Sequence, residues 1–126
     1  MNKPEFITAA SEYFRKLGYR KYRNYWFLSS GEIVYCVFLQ SSQWNTDDYY
    51  VEVGIALQKE AGTKPCLTDW YVRKQCPDEK RYYTNVSLDD VIKAMDFFKD
   101  IHDINELMQY MEKTPHISIG LQYELL

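Results

Sequence analysis

The sequence predicts an α+β fold: an N-terminal helix, an antiparallel β-sheet meander of about four to six strands, two C-terminal helices and a C-terminal strand. Apolar residues recur at helical spacing near both ends of the chain, and they alternate with period two in its middle. Turn-forming residues separate these segments. With 126 residues, the chain is long enough for one hydrophobic core and too short for two, so residues 1–126 are predicted to form a single domain.

The first helix is predicted over residues 4–17, because Pro4 suits a first turn and Gly18 suits the position after a helix end. Its apolar stripe consists of Phe6, Ala10, Tyr13, Phe14 and Leu17. Two short aromatic strands are predicted next, over 19–23 and 25–30, with Asn24 in the turn between them.

Two longer strands are predicted over residues 33–40 and 49–57. The first is apolar on both faces and is therefore expected at the centre of the sheet, covered on both sides. The second alternates large apolar residues with small or polar ones, which predicts one core face and one half-exposed face. Gly54 and Ala56 on the latter face would let a helix or a ligand approach the sheet closely.

The remaining elements are predicted from caps and patterns. Residues 59–66 read as a loop, 67–75 as a strand and 80–85 as a short extended piece. Ser87 with Asp90, and Asp103 with Glu106, have the spacing of helix N-caps, and each precedes an apolar stripe. The tail after Pro115 alternates as a strand would.

Six polar or aromatic side chains are the candidate binding residues. Gln40, Gln43 and Trp44 lie in the stretch "FLQSSQWNTDDYY", where the amides can bond loop backbone or a ligand and the indole either covers the end of the sheet or meets a partner. Glu52 follows on the small polar face of its strand, where it could act as an acid or base, and the preferred interpretation is a solvated carboxylate on a half-exposed sheet. The others are Trp70 and Arg73.

The segments "LGYRKYRNYWFLSSGEIVYCVFLQSSQW" and "YYVEVGIAL" resemble a bacterial family, the domain of unknown function 4304. The resemblance covers roughly residues 14–57, and Ser41 stands where a lysine is common in that family. It implies an α+β fold and a bacterial or phage origin, and it implies no reaction.

Several kinds of chemistry lack their sequence signatures. The five glycines are isolated, which disfavours a nucleotide-binding loop, and the cysteines and histidines lack zinc-ligand spacing. The three cysteines are predicted to be reduced thiols. No catalytic residue, cofactor or metal is predicted, and a hydrolase ranks as a distant third function. The N-terminus and the lack of long apolar runs predict a cytoplasmic, non-membrane protein.

The charge distribution is uneven, and the basic beginning and acidic end could complement each other inside one fold or could face two different partners. Residues 1–24 contain six basic and two acidic residues, whereas the segment from Ser87 to Lys113 contains seven acidic residues and three lysines. The preferred function is non-catalytic protein binding, with an immunity-type inhibitor of a toxin as its sharpest form. A homodimer formed through a sheet edge is a further prediction. Nucleic-acid binding is the alternative function, and it would use Arg15, Arg20, Lys21, Tyr22 and Arg23.

Overall fold

A computed structural model describes residues 2–41, 48–62, 64–76 and 86–113 of the chain. The predicted C-terminal strand and the extended piece at 80–85 lie outside the described residues, as do Gln43 and Trp44. In chain order the elements are α1 (Lys3–Lys16), β1 (Arg20–Tyr22), β2 (Tyr25–Ser30), β3 (Ile33–Ser41), β4 (Tyr49–Leu57), the one-turn helix α2 (Gln58–Ala61), a 3₁₀ turn (Leu67–Asp69), β5 (Val72–Cys76), α3 (Leu88–Ala94), a 3₁₀ segment (Met95–Asp100) and α4 (Ile104–Lys113).

The five strands form one antiparallel meander in the order β1-β2-β3-β4-β5, so the predicted α+β architecture is confirmed. Arg23 is in the left-handed region, with φ of 56°, at the tight turn that joins β1 to β2. The central pairing of β3 with β4 runs in unbroken register from Ile33 opposite Leu57 to Ser41 opposite Tyr49.

Helix α1 begins at Lys3 and ends at Lys16, one residue before each of the predicted bounds. Asn2 and Glu5 form a reciprocal capping box at the N-terminus. At the other end Gly18 has φ of 93°, and its N–H donates to Arg15 while the N–H of Tyr19 donates to Phe14. This pair of bonds is a Schellman motif, in which glycine supplies the left-handed residue.

The helices cover one face of the sheet, which we call the first face, and the main core lies between them. Phe6, Ala10 and Phe14 of α1 pack against Trp26 and Tyr49 of the sheet. The rest of this core comes from α3, the 3₁₀ segment and α4, through Val91, Ala94, Phe98, Ile101, Leu107 and Met111. Both predicted N-caps are confirmed, since the backbone N–H of Asp90 donates to Ser87 and that of Glu106 to Asp103.

The opposite side of the sheet, the second face, carries a smaller core formed by Phe27, Val34, Cys36, Ala56 and Trp70. As predicted, β3 is buried on both faces from Ile33 to Val37. The predicted half-exposed face of β4 is wrong, because its residues from Val51 to Leu57 are buried on both faces. A loop over 64–71, distant in sequence, provides this cover.

The prediction of a strand from residue 67 is also wrong at its start. Leu67–Asp69 form a 3₁₀ turn closed by a hydrogen bond from the backbone N–H of Cys66 to the Asp69 carboxylate, and β5 begins only at Val72. Asp69 favours the turn, since its side chain competes for backbone N–H groups that a strand would need.

Candidate functional site

The second face brings four of the predicted binding residues to one side of the sheet. Gln40 lies opposite Tyr50 in the ladder, Glu52 opposite Gln75, and Arg73 opposite Gly54. Because cross-strand partners in an antiparallel sheet point to the same face, Gln40, Glu52 and Arg73 share a surface with the indole of Trp70.

Glu52 and Arg73 form an ion pair on this surface. The Arg73 Nε lies 3.9 Å from the Glu52 Oε1, and the two side chains are 34% and 10% exposed respectively. The interpretation of Glu52 as a solvated carboxylate is wrong, since it is buried. A buried carboxylate is stable only when it is paired or hydrogen-bonded, so the arginine compensates for its lost hydration.

Trp70 is held against the sheet by the absence of a side chain at Gly54. A Cβ at position 54 would lie 2.4 Å from both the Trp70 Cε3 and the Val72 carbonyl oxygen. The close approach predicted at Gly54 is thus made by a residue of the same chain, and the fully buried indole offers no accessible surface. Its N–H has no hydrogen-bond partner within the described ranges, which lowers stability somewhat.

The 64–71 loop crosses the second face and is fixed there at several points. The Leu67 N–H donates to the Tyr25 hydroxyl at 3.1 Å, and the backbone N–H of Tyr71 donates to the Ile55 carbonyl at 2.8 Å. The Tyr25 ring stacks on Phe38 with 4.3 Å between centroids and meets the Trp70 edge at 6.5 Å. These contacts give the second face a structural role around Trp70.

An open apolar cleft lies elsewhere, between the C-terminal end of α1 and the segment from α3 into the following 3₁₀ turns; we call it the α1–α3 cleft. Its volume is about 380 Å³. The apolar residues that line it are Tyr13, Leu17, Tyr19, Leu28, Tyr35, Ile92, Met95 and Phe98. Asp96, Lys99 and His102 add polar groups to the same lining.

Leu17 is the most exposed large apolar side chain noted in the described part of the molecule, at 50%. Its prediction as part of the core stripe of α1 is wrong. The helix ends at Lys16 and the chain reverses at Gly18, so Leu17 leaves the helical face that Phe14 occupies and projects beside Leu28 in the cleft. The sequence feature that indicates this exposure is the position of Leu17 directly before Gly18, the glycine that terminates the helix.

The floor of the α1–α3 cleft is rigidly held. The Tyr35 hydroxyl donates to the Ile101 carbonyl at 2.8 Å, and its ring packs on Phe98 with centroids 5.1 Å apart. Burial raises the pKa of Tyr35 and also that of Tyr19, so both phenols stay protonated to higher pH than an exposed tyrosine does. On the rim, Lys99 pairs with Asp96 at 3.2 Å and the His102 Nδ1 lies 3.1 Å from the Glu106 carboxylate.

The residues predicted for nucleic-acid binding lie on a third surface, around the edge strand β1. All three residues of β1 are exposed. Arg15, Arg20 and Lys21 line one cleft of about 590 Å³ between α1 and β1. Arg23 stands over the neighbouring Tyr22 ring. The five residues thus lie around β1, with Arg15 and Lys21 on the side of α1 and Tyr22 on the second face, opposite Tyr25.

The cysteines and the other metal-binding residue types form no ligand cluster in the described ranges. No disulfide joins Cys36, Cys66 and Cys76 in that part of the chain, and no three His, Cys, Asp or Glu side chains converge there. Burial raises the pKa of the Cys36 thiol well above its usual range, which fits its predicted place in the core. None of the described helices is long and apolar enough to cross a bilayer.

The fold and these surfaces define a small α+β domain that presents clefts around a single meander sheet. The sequence model of one family, "Domain of unknown function (DUF4304)", matches residues 10–113, and the chain belongs to this family. The match extends well beyond residues 14–57, where the resemblance is visible by inspection, and takes in α3 and α4. No curated protein and no solved structure matches the chain.

Proposed function

We propose that the protein is a non-catalytic protein-binding domain whose partner docks in the α1–α3 cleft. The observation that carries this proposal is the half-exposed Leu17 beside Leu28 in an apolar cleft. A large aliphatic side chain left in water is unfavourable by about 1 kcal/mol relative to its burial in a partner, and contiguous apolar surface of this kind marks protein contact sites.

Charge selects the kind of partner. Asp96 lies in the cleft lining, and Asp89, Asp90 and Asp100 are exposed on the same stretch of chain. A basic protein that inserts an apolar side chain beside Leu17 and places cations near these carboxylates fits such a surface. Opposite charges across an interface accelerate association and set specificity. The sharpest form of the proposal is immunity, with a basic toxin as the partner.

The hydrolase alternative gains no support from the geometry. It draws on Glu52 as an acid or base, and Glu52 is engaged by Arg73 and lies on the face that the 64–71 loop crosses. A homodimer through a sheet edge stays a prediction.

The proposal is tested by capture from the native host with two matched variants. Leu17→Lys introduces a cation into the cleft at a half-exposed position, so its free energy of unfolding should change by less than about 0.5 kcal/mol. Tyr22→Ala alters an exposed side chain on a different surface and serves as the control. Wild-type protein and Tyr22→Ala should retain one stoichiometric basic protein that Leu17→Lys loses, as judged by mass spectrometry.

Recovery of nucleic acid alone, or equal retention of the protein by Leu17→Lys, would contradict the proposal. The immunity form has its own test, in which the captured partner is expressed with and without this protein. We expect toxicity that wild-type protein suppresses and Leu17→Lys does not. A harmless partner would leave protein binding intact and remove the immunity role.

A further inference from the structure

Five basic side chains surround the edge strand β1, and we call this surface the basic edge. Sequence patterning identified Arg15, Arg20, Lys21 and Arg23 as candidates. The fifth, Lys64, comes from the loop that crosses the second face, and its Nζ lies 4.6 Å from the Tyr22 ring centroid. No local pattern joins residue 64 to residue 22, so only the fold places this cation at the basic edge.

None of these five cations forms an ion pair with a carboxylate in the described ranges. Glu12, the acidic residue that lines the same cleft, lies 3.3 Å from the Lys16 ammonium. The net charge of −3 therefore hides a local excess of positive charge around β1. Uncompensated cations at one edge attract a polyanion even when the whole protein is acidic.

The cleft between α1 and β1 has the donors that phosphates need. Arg15, Arg20 and Lys21 line it together with the hydroxyls of Thr8 and Ser11. Arginine, lysine and hydroxyl side chains make most of the phosphate contacts in nucleic-acid complexes. The volume of about 590 Å³ accommodates a stretch of sugar-phosphate chain, not only a single ion.

Tyr22 adds a stacking surface on the other side of β1 from these donors, since it pairs with Tyr25 of the second face. Its side chain is 40% exposed, and the Arg23 guanidinium stands over its ring at 5.3 Å. Tyrosine rings and guanidinium planes are the surfaces on which unpaired bases stack. Because the side chain of Lys64 is long and flexible, its ammonium can leave the Tyr22 ring and contact a phosphate when a base stacks on that ring.

We propose that the basic edge binds single-stranded nucleic acid that passes around the exposed strand β1, with phosphates in the α1–β1 cleft on one side and a base stacked at Tyr22 on the other. The strand must be single because the base faces of a duplex are already stacked on each other. An acidic protein segment would use the cations and leave the aromatic surface without a role. Apart from Tyr19, which lines both clefts, this site shares no residue with the α1–α3 cleft, so either proposal can fail without the other.

The test is fluorescence anisotropy with a short fluorescein-labelled oligouridine and the full chain. With about three contacted phosphates and a slope of about −0.7 per phosphate, a fourfold increase in salt should weaken binding about twentyfold. Tyr22→Ala should weaken it at least about fivefold, and Tyr22→Phe, which keeps the ring, should bind like wild type. Arg20→Ala should weaken binding and lower the slope by about 0.7.

Lys93→Ala, which removes an exposed lysine from α3, is the matched charge control and should leave binding unchanged. Absence of binding at low salt would overturn the proposal. It would also be overturned if Tyr22→Ala bound as tightly as wild type, or if inorganic polyphosphate competed as well as oligouridine, because either result reduces the site to unspecific charge attraction.

Discussion

At the scale of single residues, Glu52 and Arg73 show a charge pair whose two members differ in their access to water. The carboxylate is 10% exposed and the guanidinium 34% exposed. Removal of the arginine takes a cation away from a buried carboxylate, whereas removal of the charge on Glu52 leaves an arginine that can turn toward solvent. The cost of breaking the pair should therefore depend on which member is changed.

We expect Arg73→Met to lower the free energy of unfolding by about 2 kcal/mol and Glu52→Gln by about 1 kcal/mol or less, after allowance for the partial exposure of Arg73. Urea unfolding followed by circular dichroism measures both. Equal losses, or a larger loss for Glu52→Gln, would show that the pair does not compensate a buried carboxylate.

The sequence predicted correctly to which face of the sheet a side chain points, but it did not predict how buried that side chain is. Alternation along β4 fixed the face on which Glu52 lies, because side-chain period in a strand is a local property. Its burial depends on a loop that begins more than ten residues later, and Leu17 was misassigned because helical spacing does not reveal where a helix ends. The Lys64 to Tyr22 contact is likewise non-local.

At the scale of elements, the packing of the 64–71 loop on β4 is the least tolerant contact. Gly54→Ala forces a Cβ against the Trp70 ring and the Val72 backbone, both of which are buried and unable to move freely. We expect this substitution to cost about 3 kcal/mol, at the upper end for overpacking. Urea unfolding measures it.

The control is a double-mutant cycle with Trp70→Leu, whose smaller side chain leaves room for the new methyl group. If the clash is with the indole, the two changes together should cost less than the sum of each alone. A cost below about 1 kcal/mol for Gly54→Ala would contradict the close approach of the loop.

Most elements were predictable because their determinants are local. Strands β2 and β4 begin and end at the predicted residues, and the capping residues of α3 and α4 are in the predicted positions. The strand expected from Leu67 fails because the Asp69 side chain closes a turn, which a reading of apolar alternation does not consider. The apolar stripe after Ser87 extends beyond α3 into the 3₁₀ segment Met95–Asp100, where the backbone is wound more tightly than in an α-helix.

At the scale of the whole molecule, buried tyrosines make stability sensitive to alkaline pH. Burial, with a smaller contribution from Glu5, raises the pKa of Tyr49 to about 12, and burial together with the Glu60 carboxylate raises the pKa of Tyr71 to about 12. In the unfolded chain both phenols titrate near pH 10, at the ordinary value of tyrosine. Between those values the unfolded state loses protons that the folded state keeps.

Stability should therefore be fully present below about pH 10 and should fall as pH rises toward 12, by up to about 1.4 kcal/mol per pH unit for each phenol. The Tyr49→Phe variant should lower stability at neutral pH by about 1 kcal/mol, since it loses the hydrogen bond to Val86, and should fall less steeply at alkaline pH. Urea midpoints measured at several alkaline pH values test this. An unchanged slope in Tyr49→Phe would show that its phenol does not titrate as described.

The charged ends of the sequence also become two separate surfaces of the folded molecule. The basic residues gather at β1, and exposed carboxylates follow α3 beside the α1–α3 cleft. The sequence left open whether the basic and acidic parts would pair with each other inside the fold or stay apart as two surfaces. The sequence could not predict that the apolar side chain of Leu17 would lie exposed to water between these two surfaces.

The α1–α3 cleft as the docking site is tested most directly by hydrogen exchange of the complex with the captured partner. We predict that the partner slows amide exchange at the C-terminal end of α1, around Leu17, and in the 3₁₀ segment Met95–Asp100, while exchange in β1 and in the 64–71 loop is unchanged. Protection confined to β1 or to the 64–71 loop, with α1 and the 3₁₀ segment exchanging as in the free protein, would contradict the account.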